Sequence, residues 1–348
     1  MKINKSLTLT KPDDWHVHLR SGEMLAKVLR DTATSFNRAI VMPNLSPPIR
    51  TTYDAVSYQR EIKAALNKDS DFTPLMTSYL TDETDPDDLI AGFKRGVFTA
   101  AKLYPAGATT NSDSGVTNTL LLDPVFSAMS NAGMPLLIHG EVVDHKIDIF
   151  DREHKFIELV LEPLRNRHKN LKIVFEHITT KSAVDYVRSS SPDKLAATIT
   201  PHHLSVNRSD LFAGGIRPHL YCLPIPKREE HRIALVDAAC SGDKRFFLGT
   251  DSAPHLIEEK ESSCGCAGVY NSPNALLTYI AIFEQNNALD KLNSFASLNG
   301  PEFYNLKPNN KEIEFVKRSS PMSFDDLQVG SSRVKTFVPP FPLFWSAK

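Results

Sequence analysis

The chain is short of several things. It has 4 Cys in 348 residues, too few for a disulfide framework. It has little net charge: 40 Lys+Arg stand against 41 Asp+Glu, a formal charge of −1. A protein whose main partner is nucleic acid usually carries a basic face to neutralise phosphates, so this balance argues against that class. No apolar run is long enough to suggest a membrane span. The opening residues, MKINKSLTLTKPDDW, hold no apolar stretch of the kind that marks a secretory signal. No G-x-G-x-x-G or G-x-x-x-x-G-K-[ST] loop follows any apolar run, which removes the usual phosphate cradles. The expectation is a globular, cytoplasmic protein with neither nucleic acid nor membrane as partner.

What the chain does have is alternation. Eight short apolar runs read as strands: Trp15–Leu19, Ala39–Pro43, Phe72–Leu80, Val97–Tyr104, Pro135–His139, Lys172–Ile178, Ala196–His202 and Phe246–Thr250. Most are continuously apolar, as parallel strands covered by helices are. Between them lie helical patterns at Tyr53–Lys68, Asp87–Arg95, Leu120–Ala132, Asp151–His168, Lys181–Arg188, Glu229–Cys240 and Asn274–Glu284. Pro163 suggests a kink or an early end in the fourth. Eight βα units point to an α/β fold of the (β/α)₈ barrel type, with a doubly wound open sheet as runner-up. We expect one domain, residues 1–348, with the barrel at about 13–304 and an extension at about 305–348. The apolar segment VPPFPLFW should dock that extension on the body. The connection Ser205–Glu229, rich in Pro and Gly, should be a functional loop.

Barrel enzymes keep their chemistry at the C-terminal ends of the strands. His16 and His18 alternate on the first run, so both imidazoles share one face. Asn44 ends the second run, Lys102 interrupts the apolar fourth, His139 and His177 end the fifth and sixth, and Asp251 ends the eighth. Each has an ordinary reading alone: a core histidine, a structural ion pair, a helix N-cap. Four His, one Lys and one Asp at one end of one barrel make a metal site the better explanation. Imidazole and carboxylate donors suit zinc and similar divalent ions. An ammonium cannot ligate a cation, but burial lowers a lysine's pKa, and the neutral amine can take up carbon dioxide to give a bridging carbamate.

These stretches carry a resemblance. DDWHVHLR (13–20), RAIVMPNLSPP (38–48), GVFTAAKLYPAGATTNS (96–112), MPLLIHGE (134–141), IVFEHITTK (173–181), RPHLYCLP (217–224), FLGTDSAPH (247–255) and ESSCGCAG (261–268) are similar to the dihydroorotases of the amidohydrolase superfamily, near the bacterial homodimeric, single-function type. The resemblance implies a zinc-dependent cyclic amidase of pyrimidine (UMP) biosynthesis that interconverts (S)-dihydroorotate and N-carbamoyl-L-aspartate. It implies two Zn²⁺ per subunit. His16, His18 and Asp251 would hold the more buried ion, His139 and His177 the second, and carboxylated Lys102 (N6-carboxylysine) would bridge them. Two cations lower the pKa of a shared water from 15.7 towards ~7, making it a hydroxide nucleophile. Asp251 would be the general acid/base.

For the substrate, the resemblance assigns the carboxylate to Arg20, Asn44 and His255, and the ring to backbone groups of Leu223 and Ala267. The small, polar run 108–115 reads as a mobile lid in which Thr109 and Thr110 donate to the substrate. Cys264-Gly265-Cys266 has too short a spacing for a usual zinc knuckle and reads as small residues in a substrate loop. His202 and His203 read as loop or supporting groups. The alternatives are another cyclic amidohydrolase, such as a hydantoinase or allantoinase, and a non-catalytic barrel acting as an assembly partner. Rings lacking a carboxylate leave Arg20, Asn44 and His255 without a purpose, and a non-catalytic barrel is expected to lose ligands that this chain retains.

Overall fold

The computed structural model describes residues 5–348. Strand β1 (Ser6–Thr10) precedes eight strands that form one parallel sheet in strict chain order. These are β2 (Asp13–Val17), β3 (Arg38–Val41), β4 (Thr73–Tyr79), β5 (Ala100–Leu103), β6 (Leu136–Ile138), β7 (Ile173–Phe175), β8 (Leu195–Ile199) and β9 (Phe246–Leu248). A parallel bridge between Val17 and Ser252 joins the last strand's end to the first, closing the sheet into a barrel with helices outside. The expected (β/α)₈ barrel is therefore present, and the open-sheet alternative is not.

The barrel has two apolar layers. An inner plug takes one residue or more from most strands: Trp15, Ile40, Ala100, Leu137, Val174, Ala196 and Phe247, with Phe303 and Tyr304 sealing it. Tyr304 stacks on Trp15 at 4.4 Å between ring centroids. Gly300 is needed there, because a Cβ would come within 2.0 Å of the Trp15 indole nitrogen. The outer layer is the opposite face of the same strands (Ala39, Val41, Ala101, Leu136, Ile173, Phe175, Leu248) packed against the helices. A register shift in β2 between Asp14 and Val17 lets Trp15 plug the barrel while His16 and His18 turn to the opening at its C-terminal end.

Three expectations need correction. The helix Gly22–Ser35, between the first two barrel strands, was not anticipated, though Leu25, Val28, Leu29 and Thr32 lie at helical spacing and are buried. Pro163 does not end its helix early. Helical structure runs from Arg152 to Arg167 and widens into a π-turn at Ile157–Leu161, with Glu162 N–H donating to the Ile157 carbonyl just ahead of the proline. The seventh run was read too long. β8 stops at Ile199, and Thr200 caps a short helix, Pro201–Ser205, through its side chain, so His202 and His203 are helical.

After the barrel come β10 (Glu312–Lys317), the hairpin β11 (Leu327–Val329) and β12 (Ser332–Val334), and β13 (Trp345–Ala347). β1, β10 and β13 form an antiparallel sheet that ties both ends of the described chain together. Trp345 and Leu343 are buried against the body. Val334 and Thr336 bridge to Leu256 and Tyr270, in the segment that follows β9.

Candidate active site

Every proposed metal-binding residue sits at or just beyond a strand end, and all are buried: His16, His18, Lys102, His139, His177 and Asp251. Asp251 Oδ1 lies 3.2 Å from His16 Nε2 and 3.1 Å from His18 Nε2. The His177 ring is 5.0 Å from both the His16 and the His139 rings. One cavity collects His16, His18, Arg20, Asn44, Thr109, Thr110, His139, His177, Leu223, Asp251 and Ala267, together with Tyr104. Lys102 lies beneath its floor, with its ammonium 4.7 Å from the centre of the Tyr104 ring. His255 is set back: its Nε2 accepts from Arg20 Nη2 at 3.0 Å, while Arg20 Nε donates to the Pro254 carbonyl at 3.1 Å.

The backbone is strained where these groups converge. Arg20, His177 and Asp251 have φ of 60°, 41° and 45°, a region that non-glycine residues seldom occupy. At His177 this turn has a visible effect. Strand alternation would place Glu176 and His177 on opposite faces, yet both reach the site. Glu176 is the residue that sequence reasoning missed. Its carboxylate accepts from His16 Nδ1 at 3.0 Å and from the Lys102 ammonium, and it is fully buried. A charge inside the apolar run IVFEH was the available signal.

Glu141, also unassigned beforehand, accepts from His139 Nε2 at 2.9 Å. Asp14 accepts from the His16 and Thr250 N–H groups and the Thr250 hydroxyl, pinning the segments that carry His16 and Asp251 to each other. The Glu176 and Glu141 bonds fix the ring orientations of His16 and His139.

The residues fit a divalent cation by their donor chemistry. His16, His18 and Asp251 bring ligand atoms within 4.8 Å of one another. His177 Nδ1 is buried without a hydrogen-bond partner among the described residues. Burial holds His18 neutral, its pKa pushed down to about 4, and holds His177 well below its ordinary value, so both keep a lone pair at neutral pH. Burial opposes protonation of His16 too, but the carboxylates of Glu176 and Asp251 overcome it and raise the pKa to about 9. The local field thus favours positive charge there. Burial works against ionised Asp251, yet the neighbouring His16 and His18 hold it well below the usual carboxylate range. Burial lowers the Lys102 pKa although Glu176 opposes it.

The loop 105–116 closes the cavity. Asn44 Nδ2 donates to the Thr110 carbonyl at 3.0 Å, and Asn111 Nδ2 donates back to the Asn44 carbonyl at 3.1 Å. The Thr110 hydroxyl donates to the Ala267 carbonyl at 3.3 Å. The cavity left below is about 20 Å³, room for a water and not for a six-membered ring.

His202 and His203 are buried beside the site without entering it. His203 Nε2 donates to the Pro224 carbonyl and its Nδ1 accepts from the Thr200 hydroxyl, both at 2.8 Å. His202 Nδ1 accepts from Asn271 at 3.1 Å. Cys264 is exposed, Cys266 is half-buried, and both are free thiols.

Residues 13–315 match the profile of the Amidohydrolase family. The dihydroorotase of Agrobacterium fabrum is 54% identical over 342 residues, covering 98% of this chain and 99% of that one. The chain belongs to the dihydroorotases of the amidohydrolase family. A crystal structure of the Campylobacter jejuni dihydroorotase superposes with a TM-score of 0.89 at 34% identity, over 100% of this chain and 99% of that one. An L-hydantoinase from Arthrobacter aurescens superposes with a TM-score of 0.78 at only 14% identity, over 98% of this chain and 83% of that one, a likeness of fold alone.

Proposed function

We propose that this cavity interconverts dihydroorotate and N-carbamoyl-aspartate, opening and closing one amide C–N bond of a pyrimidine ring in UMP biosynthesis. The observation that carries the reading is the meeting of Arg20 and Asn44 with the His/Asp cluster in one cavity. A hydantoin or allantoin ring has no carboxylate for that guanidinium to read.

His16, His18 and Asp251 would hold one zinc ion and His139 and His177 a second, with Lys102, as its carbamate, between them. Bound there, the two cations supply Lewis acidity for the ring carbonyl and make a shared water acidic enough to ionise near neutral pH. The Lys102 amine reaches the carbamate by adding to carbon dioxide and releasing one proton. Asp251 then accepts the proton of the attacking water and delivers it to the ring nitrogen as the C–N bond breaks. Arg20 binds the substrate carboxylate through parallel N–H bonds, and Asn44 donates a further one. His255, neutral because burial and Arg20 push its pKa down to about 2, keeps Arg20 in place and adds its own ring contact when Arg20 turns to the substrate.

Backbone groups of Leu223 and Ala267 face the ring. Thr109 and Thr110 close over it and exclude water, so the bonds now joining Asn44, Thr110 and Asn111 open for entry. The chain works as a single domain, residues 1–348, in a cytoplasmic homodimer. Among the described residues no helix is long and apolar enough to cross a membrane.

The test is metal content measured beside the ultraviolet loss of dihydroorotate amide absorbance. Stoichiometric zinc, a labelled-bicarbonate carbamate signal on Lys102 and ring opening are expected. Metal-loaded protein that ignores dihydroorotate but opens hydantoin or allantoin would overturn the substrate, and an unmodified Lys102 in active enzyme would remove the bridge.

A further inference from the structure

Lys260 lies between two of the stretches that carry the resemblance and belongs to neither. It is buried, 4% exposed, and among the described residues no carboxylate is bonded to it. Its ammonium instead donates to three main-chain carbonyls: Tyr221 at 2.7 Å, Cys266 at 2.8 Å and Gly268 at 2.7 Å. An ammonium has three N–H donors, and here all three are used. A buried charge without a counter-ion is costly, so three convergent dipoles are an unusual place to keep one. Burial shows in its acidity, the pKa being pushed down to about 8.

The three acceptors are not scattered. Tyr221 lies two residues before Leu223, and Cys266 and Gly268 flank Ala267 on either side. Leu223 and Ala267 both line the cavity. Gly268 N–H also donates to the Tyr221 carbonyl at 3.0 Å, so the two loops meet directly at this point.

We infer that Lys260 is a positioning residue for the ring: its ammonium staples the loop carrying Leu223 to the loop carrying Ala267 and sets the width of the slot that receives the cyclic amide. The inference rests on the reading of those two residues as ring contacts. The staple touches neither the reacting bond nor the proposed ligands, so it governs how well the ring is held and not how fast the bond breaks. Uniform loss of binding of this kind raises KM and leaves kcat.

The experiment uses full-length, metal-loaded protein and the Lys260→Met variant. KM for dihydroorotate should rise about tenfold, the inhibition constant of orotate should rise in step, and kcat should stay within about threefold. The two directions of the reaction must lose kcat/KM equally, since the equilibrium is fixed. An unchanged KM and orotate constant overturns the staple, and so does a kcat loss larger than the KM rise. If K260M does not accumulate as folded protein, K260R decides: it keeps the charge, but its planar fork does not match three converging carbonyls, so its KM should rise too. A normal KM in K260R overturns the inference. Wild-type protein that fails to open dihydroorotate rejects the reaction instead, and orotate calorimetry on wild type and K260M then tests the staple by itself.

Discussion

The mouth of the barrel and the small sheet joining the chain's ends are built on opposite terms. At the mouth, four non-glycine residues (Arg20, Asn111, His177 and Asp251) have positive φ, six proposed ligands are buried, and His177 Nδ1 lacks a partner among the described residues. In the sheet of β1, β10 and β13 the backbone is regular and every pairing is antiparallel. Its ionic contacts are half-exposed and satisfied: Glu284 accepts from Lys5, Lys317 and the Trp345 indole N–H at 2.9, 2.8 and 2.9 Å. The mouth is arranged for reactivity at a cost in stability, and the sheet for stability with no chemistry near it.

The sharpest way to break that contrast is Asp251→Asn. Turnover should fall by about 10²–10⁴-fold, as loss of a positioned proton carrier does, while the thermal midpoint falls by less than it does in Trp345→Ala. A midpoint that falls as far as in Trp345→Ala would mean the mouth also carries the fold. Trp345→Ala should do the reverse, costing about 3–5 kcal/mol in denaturant unfolding, as emptying a buried aromatic site does, with kcat per folded molecule unchanged. Thr109→Ala with Thr110→Ala should lower kcat/KM about 10- to 100-fold without moving the midpoint, and unchanged kinetics would remove the lid.

The smallest effect belongs to Glu284. Burial raises its pKa, but Lys317, Lys5 and Trp345 outweigh that and bring it to about 2, against an ordinary 4.5. A depressed carboxylate stabilises the fold above its unfolded pKa, and that contribution is lost as pH falls from 4.5 through about 2. Glu284→Gln should therefore cost about 1 kcal/mol at pH 7 and nothing near pH 2, measured by unfolding at both.

The barrel was legible because its strands are apolar on both faces, a signal each strand carries locally. The proposed ligands stand out in the sequence because they interrupt or end those runs. What could not be read depends on contacts distant in sequence. The alternation in SLTLT is short, and only pairing with β10 makes it a strand. His177 joins Glu176 at the site because the chain turns at His177, which no local pattern announces. Lys260 sits in a polar, charged stretch, IEEKESS, and looks like a surface lysine until three carbonyls from two loops close on it.

Barrel closure has a temporal side. Asp14 and Thr250, 236 residues apart, must meet before His16 and Asp251 can share anything. At a synthesis rate of about 5–20 residues per second, the first strand waits roughly 10–50 s for its last neighbour. Through that interval β2 is an open edge, and the growing chain lacks the complete set of proposed ligands. Activity should thus appear all at once, late in the life of each nascent chain, and no fragment ending before residue 251 should show a trace of it.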